Sequence, residues 1–313
     1  MADLPPPGLR LFAGVQVSRP RAKLVALGCS GPVAAPVING FIEGGLSLRI
    51  LARCPEPVAR RYPGAEVAAG SMSDPVSVSQ VLADADAAFL MTPMGMRNDP
   101  SGEIAIAKQV LEGAKAAGLG HLIYTSVLHA DQPSPVGILQ AKYEIERLIK
   151  NAGIPYTILR CGSYMEDVFD PRLKLLQKGR FLFPIDKHQT FSYTSQADIP
   201  RFVVTELLQP GGILNRAIDF VAIQSYPIVE IEKQLAEAAG FAIKTTPKFP
   251  VFYLFYALLP YFRMTKHRFS SVIPLMQHFD RNGYFSVSGD MQSEFPDFRM
   301  TSLPDHLRRL FET

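Results

Sequence analysis

From Ala22 to about residue 165, short apolar runs alternate with longer segments of helical period, and this alternation restricts the fold more than any other feature. KLVALG, LSLRILAR, DAAFLMTP, HLIYTSV and IPYTILRCG read as strands. PVAAPVINGFIEGG, DPVSVSQVLADA, GEIAIAKQVLEGAKAAGLG and AKYEIERLIKNAG read as the helices between them. The punctuation agrees. Gly44 and Gly45 close the first helix, and Asp74 is expected to cap the second with Pro75 at its first position. Strand and helix repeated in this way require parallel pairing through right-handed crossovers, hence an α/β chain with a doubly wound parallel sheet. Ligands of such sheets bind outside the carboxyl ends of the strands. That gathers residues 28–31, Arg53, Thr92, Pro93, Thr125, Ser126 and 161–164 around one crevice. Beyond about residue 165 helical and aromatic-rich runs replace the alternation, as expected for a smaller C-terminal α/β lobe. The expected division is a flexible arm over 1–21, a sheet domain over 22–165, and a substrate lobe over 166–313 interleaved with the sheet.

The first strand-to-helix turn, VALGCSGPVAAPVI, is where a nucleotide would sit. A dinucleotide loop needs glycine where the chain turns sharply and where backbone approaches pyrophosphate. Gly28 and Gly31 meet those needs, and Ala34 takes the third position. Pro32 has no N–H to donate, which leaves the amides of Cys29, Ser30, Gly31 and Val33 for a phosphate at the helix N-terminus. The alternative is a tight turn with no ligand. The second strand ends LRILAR, with Arg53 and no acid. An acid there would bond a ribose 2′-hydroxyl, whereas a guanidinium suits a 2′-phosphate, so NADP (NADPH) is expected rather than NAD. The competing reading of Arg53 is a solvated surface arginine.

With these features the chain resembles the NmrA-like branch of the atypical short-chain dehydrogenase/reductases. The resemblance runs from about residue 23 to 311. It rests on LVALGCSGPVA, LRILAR, GAEVAAGSMSD, HLIYTSVLHADQPSP, KYEIERLIKNAGIPYTILRCGSYMED, FSYTSQADIPRFV and MTSLPDHLRRLF. It implies a Rossmann-type fold, a small C-terminal lobe and NADP(H), in a family that includes quinone reductases, isoflavone-type reductases and NADP-sensing regulators. Typical short-chain dehydrogenases pair a strand serine with a tyrosine and a lysine four residues later. Ser126 matches the serine and Lys142 the lysine, but Ile138 stands at the tyrosine position. Tyr143 points off another face of the helix. The ordinary mechanism is therefore excluded, and the resemblance to isoflavone-type reductases, which keep the lysine, makes Lys142 the candidate proton donor or relay. Burial and an oxidised nicotinamide are expected to depress its pKa. The plainer reading is a surface lysine beside Glu144 and Glu146. Tyr164 is expected either to hydrogen-bond a substrate carbonyl or to be a half-buried core aromatic. His129 begins a loop near that end, and Asp198 is expected to cap the helix DIPRFVVTELL.

Composition narrows the function further. A net charge of +3 without a dense Lys/Arg block gives nucleic-acid binding no support. The 3 scattered cysteines suggest a reducing compartment, hence a cytoplasmic location, and no His/Cys/carboxylate spacing suggests a metal. No apolar run of about 18 residues predicts a transmembrane helix. KFPVFYLFYALLPYFRM is dense in Phe and Tyr, as in a core helix or the wall of a pocket for an aromatic ligand. A membrane-dipping surface is a third reading, with few basic residues flanking it. The expected function is an NADPH-dependent reductase of an apolar, aromatic or conjugated carbonyl or quinone-like molecule. The alternatives are a non-catalytic NADP(H) sensor and a non-redox isomerase or cyclase. The expected partners are that small molecule and a second copy of the chain in a homodimer.

Overall fold

The computed structural model describes residues 22–31, 34–93, 99–183, 185–209, 211–222, 224–245, 257–264, 269–286 and 291–312. The expected N-terminal arm, Pro32, Val33 and most of the aromatic run lie outside the described residues.

Seven strands form one parallel sheet. They are β1 (Lys23–Leu27), β2 (Ser47–Ala52), β3 (Glu66–Ala69), β4 (Ala87–Leu90), β5 (Leu122–Val127), β6 (Tyr156–Cys161) and β7 (Arg216–Phe220). Their order is β7-β6-β5-β4-β1-β2-β3. The strand sequence reverses direction between β1 and β4, which opens a crevice at their carboxyl ends. The helices are α1 (Ala35–Glu43), α2 (Pro55–Arg61), α3 (Pro75–Leu82), α4 (Ser101–Ala116), α5 (Gly137–Lys150) and α6 (Asp198–Phe202). On one face of the sheet, Leu24, Ile50 and Phe89 pack beneath Val37, Phe41 and Phe202. Phe41 meets Phe89 edge to face, centroids 5.0 Å apart. On the other face, Val25, Leu90 and Ile158 pack with Val78, Val110 and Ile145 from α3, α4 and α5. The doubly wound expectation holds.

Three elements go beyond the sequence reading. β3 has only four residues, EVAA, none fully buried, too short an apolar run to stand out as a strand. α2 is a single short helix between β2 and β3. β7 comes from the second half of the chain and pairs parallel with β6, from Arg216 beside Thr157 to Phe220 beside Cys161.

Helix α1 starts at Ala35, three residues later than the expected Pro32. Pro36 explains the shift. In a helix starting at Pro32 it would lie past the first turn, lacking its hydrogen bond and crowding a carbonyl, whereas at the second helical position it is harmless.

A separate core unites the lobe. Phe169 stacks on Phe181 at 5.8 Å, Phe181 on Phe183 at 5.5 Å, and Phe191 meets Phe279 edge to face at 5.9 Å. The lobe carries short strand pairs of its own, such as Thr190–Phe191 against Tyr226–Pro227. The described part of the aromatic run is not in this core: Tyr261 and Met264 are 56% and 77% exposed. Among the described residues, no helix is long and apolar enough to cross a membrane.

Candidate functional site

At the end of β1, Gly28 turns the chain with φ of +79°, and a Cβ there would overlap the Met91 carbonyl. Only glycine suits this position. At Gly31 a Cβ would meet nothing within 4 Å. The loop borders a crevice of about 220 Å³ lined by Gly28, Ser30, Arg53, Ser71, Ser73 and Pro93, with Ile106 of α4 on the same wall. Arg53 makes no ion pair among the described residues. By contrast, Arg49, on the strand that Arg53 follows, is held by Asp84 at 2.6 Å and Glu66 at 2.9 Å. The guanidinium, three serine hydroxyls and the exposed backbone of the turn could hold a phosphorylated nucleotide. Cys29 contributes no reactive thiol: its Sγ donates to the Leu27 carbonyl at 3.5 Å, and burial pushes its pKa up to about 12.

Beside the crevice the chain buries an ion pair. Lys142 on α5 places Nζ 2.8 Å from Glu103 Oε1 and 2.8 Å from Thr92 Oγ1. The Thr92 hydroxyl donates to the same Glu103 oxygen at 2.5 Å, so the Tyr124 hydroxyl, 3.1 Å away, is the donor of their shared bond. Nζ also sits 5.4 Å from the centre of the Tyr124 ring. Burial pulls the Lys142 pKa down, but Tyr124 and Glu103 outweigh it and hold the ammonium above the ordinary lysine value. The expected depression is therefore corrected. The two groups responsible lie on β5 and α4, away from the helix that carries Lys142. Lys142 is not a surface residue; it is only 7% exposed.

Ser126 is also buried, but its hydroxyl donates to Glu146 Oε1 at 2.8 Å rather than meeting Lys142. Glu146 in turn receives Arg160 through Nε at 2.9 Å and Nη2 at 2.7 Å, with Lys150 Nζ at 3.0 Å. Ser126 and Arg160 are register partners on β5 and β6, which is why they share one carboxylate of α5. Thr125 points to the opposite face and donates to the Leu90 carbonyl at 3.4 Å, tying β5 to β4.

Tyr164 is half-buried, its hydroxyl against the Cys161 thiol. Burial raises the pKa of both, Cys161 to about 12 and Tyr164 well above its usual value, so both keep their protons near neutrality. His129 adopts φ of +62°, and its ring meets the Phe285 carbonyl at 2.8 Å. Asp198 does not cap its helix. It occupies the first helical position and accepts bonds from Thr301 N at 2.7 Å, Thr301 Oγ1 at 2.8 Å and Arg201 at 2.6 Å, binding the C-terminal segment to α6, which packs on the sheet. Asp74 does cap α3, accepting from the amides of Val76 and Ser77.

Glu103 and Tyr124 are absent from the sequence reading. For Glu103 a signal existed: it heads the buried stripe of α4 formed by Ala107, Val110, Leu111 and Ala114. A carboxylate on an apolar stripe demands a buried partner. Among the described residues, no cluster of side chains could hold a metal ion.

Fold and crevice define a Rossmann-type α/β protein. Residues 20–239 match the NmrA-like family, and the chain belongs to it. It is 24% identical to the NAD(P)H azoreductase of Xenophilus azovorans over 69% of this chain and 74% of that one. It is 28% identical to quinone oxidoreductase 2 of Escherichia coli over 42% of this chain, spanning only 46% of that relative. The photosystem II assembly factor Ycf39 of Cyanophora paradoxa is 23% identical over 74% of this chain and 73% of its own length. The structure also resembles the triphenylmethane reductase of Citrobacter sp. complexed with NADP(H), with a TM-score of 0.74 at 18% identity, covering 92% of this chain and 99% of that one.

Proposed function

We propose that this protein is an NADPH-dependent reductase of an apolar, conjugated small molecule such as a quinone or an azo compound. The observation that carries the reading is Arg53, a guanidinium without a carboxylate partner among the described residues, facing a serine-lined crevice at the end of β2. The residues present fit NADP(H). At Gly31 the backbone borders open space, Ser30, Ser71 and Ser73 bring hydroxyls, and Arg53 can pair with a 2′-phosphate. Bound there, the nucleotide supplies a hydride. The names of the azoreductase, quinone oxidoreductase and triphenylmethane reductase relatives support the substrate class.

Within this reading Lys142 holds its proton at Nζ. Its ammonium, paired with Glu103, is a fixed hydrogen-bond donor beside the crevice, and its raised pKa suits donation toward developing negative charge more than rapid proton relay. Ser126 keeps the Glu146–Arg160 pair in place beneath the same strand ends. Tyr164, protonated near neutrality, is the hydroxyl donor for a substrate carbonyl. The expected cytoplasmic setting suits free Cys29, Cys54 and Cys161 thiols.

Calorimetry and absorbance assays test the proposal. Arg53→Ala should weaken NADPH by about tenfold or more while leaving NADH nearly unchanged; equal losses would refute the 2′-phosphate role. NADPH should be consumed with at least one member of a quinone and azo-dye panel. A second reading, a non-catalytic NADP(H)-responsive factor, draws on Ile138 at the tyrosine position and on relatives named as assembly factors. Tight NADPH binding with no turnover across the panel would favour it.

A further inference from the structure

The carboxylate of Glu103 is used on one side only. Oε1 receives both the Lys142 ammonium and the Thr92 hydroxyl. Oε2 is buried and has no hydrogen-bond partner among the described residues. A carboxylate has several lone-pair positions, and an unpaired oxygen in a side chain only 1% exposed calls for an explanation. Its surroundings supply one. Thr92 precedes Pro93, which lines the nucleotide crevice, and Ile106, nearly one turn along α4 from Glu103, lines it as well.

We propose that Glu103 is a nucleotide-binding residue, with Oε1 holding the Lys142 ammonium and Oε2 accepting a hydrogen bond from the nicotinamide half of the nucleotide. The donor is an O–H of the distal ribose or an N–H of the carboxamide, the two donor types that half carries. The inference rests on the nucleotide reading above. It adds a residue that no loop motif contains and that makes the Lys142 site responsive to occupancy. In the free protein one carboxylate oxygen lacks a partner among the described residues, and a shift of the Glu103 side chain toward the crevice on binding completes the group.

The test compares ligands of increasing length by calorimetry on the full chain. 2′,5′-ADP carries only the adenosine half, 2′-phospho-ADP-ribose adds the distal ribose, and NADPH adds the ring and carboxamide. Glu103→Gln keeps the shape but, with its carbonyl turned to Lys142, presents an amide donor where Oε2 was. It should bind 2′,5′-ADP like the wild type and NADPH about tenfold more weakly. A loss already present with 2′-phospho-ADP-ribose assigns the donor to the ribose, and one confined to NADPH assigns it to the carboxamide. Unchanged NADPH affinity overturns the inference, as does an equal loss for 2′,5′-ADP. Wild-type protein that binds none of the three ligands instead removes the nucleotide reading, and this inference with it. Should Glu103→Gln fail to fold, Glu103→Asp, which keeps the charge but withdraws the oxygens, must show the same ligand-selective loss.

Discussion

At the scale of single residues, two buried groups govern stability in ways their positions in the chain do not reveal. Lys142 and Glu103 neutralise one another in a site almost closed to water. Such a pair adds little net stability, but removing one member leaves the other charge uncompensated. Lys142→Met should therefore cost about 3–5 kcal/mol in urea unfolding. The double variant with Glu103→Gln should cost clearly less than the two single losses added, a coupling that a double-mutant cycle measures. His121 is the second group. Its ring is buried against Thr157, Nε2 lying 2.9 Å from the hydroxyl, and burial lowers its pKa from 6.5 to about 4. As pH falls below about 6.5 the unfolded chain takes up a proton here that the folded chain refuses until near pH 4. Stability from this residue is thus whole at neutrality and lost through that window, at most about 3 kcal/mol. His121→Gln should flatten the pH dependence of the unfolding midpoint between those values. The position of Arg53 at the crevice was legible at this scale because it depends only on which residue follows β2. Glu103 was less so, because its meaning depends on Lys142 arriving from another helix.

At the scale of elements, the first turn separates architecture from binding. Gly28 is required by its positive φ and by the Met91 carbonyl beside it, whereas Gly31 borders empty space. Gly28→Ala should destabilise the fold by more than about 2 kcal/mol. Gly31→Ala should leave thermal stability within about 0.5 kcal/mol of wild type but weaken NADPH, because its methyl intrudes where phosphate would approach backbone. Equal effects on stability would contradict this division. Strong strands and helices were readable from periodicity because each carries its pattern within a few residues. β3, with its four partly exposed positions, carried none and becomes a strand only through pairing with β2. The start of α1 was readable from Pro36, but the glycine pattern upstream drew the boundary to Pro32.

At the scale of the whole molecule, the sheet and the lobe are joined by buried polar contacts between distant segments. The Tyr284 hydroxyl accepts from the Leu128 amide at 3.1 Å and donates to the Cys161 carbonyl at 3.0 Å, clasping the lobe to the ends of β5 and β6. Asp198 makes a parallel tie to Thr301. Tyr284→Phe removes both bonds but leaves the Leu128 amide bonded to the Cys161 carbonyl at 3.2 Å, so it should lower unfolding free energy by about 1 kcal/mol in chemical denaturation. A change below about 0.5 kcal/mol would show that the clasp is not a stabilising joint. By itself the amino-acid sequence determined the alternation of elements, the parallel sheet, the glycine turn and the cation after β2, because periodicity, turn chemistry and capping act between near neighbours. The tertiary structure alone decided which side chains share a carboxylate, that Lys142 stays charged, and that β7 completes the sheet. Burial and charge pairing depend on which segments the fold brings together, and local pattern does not encode that.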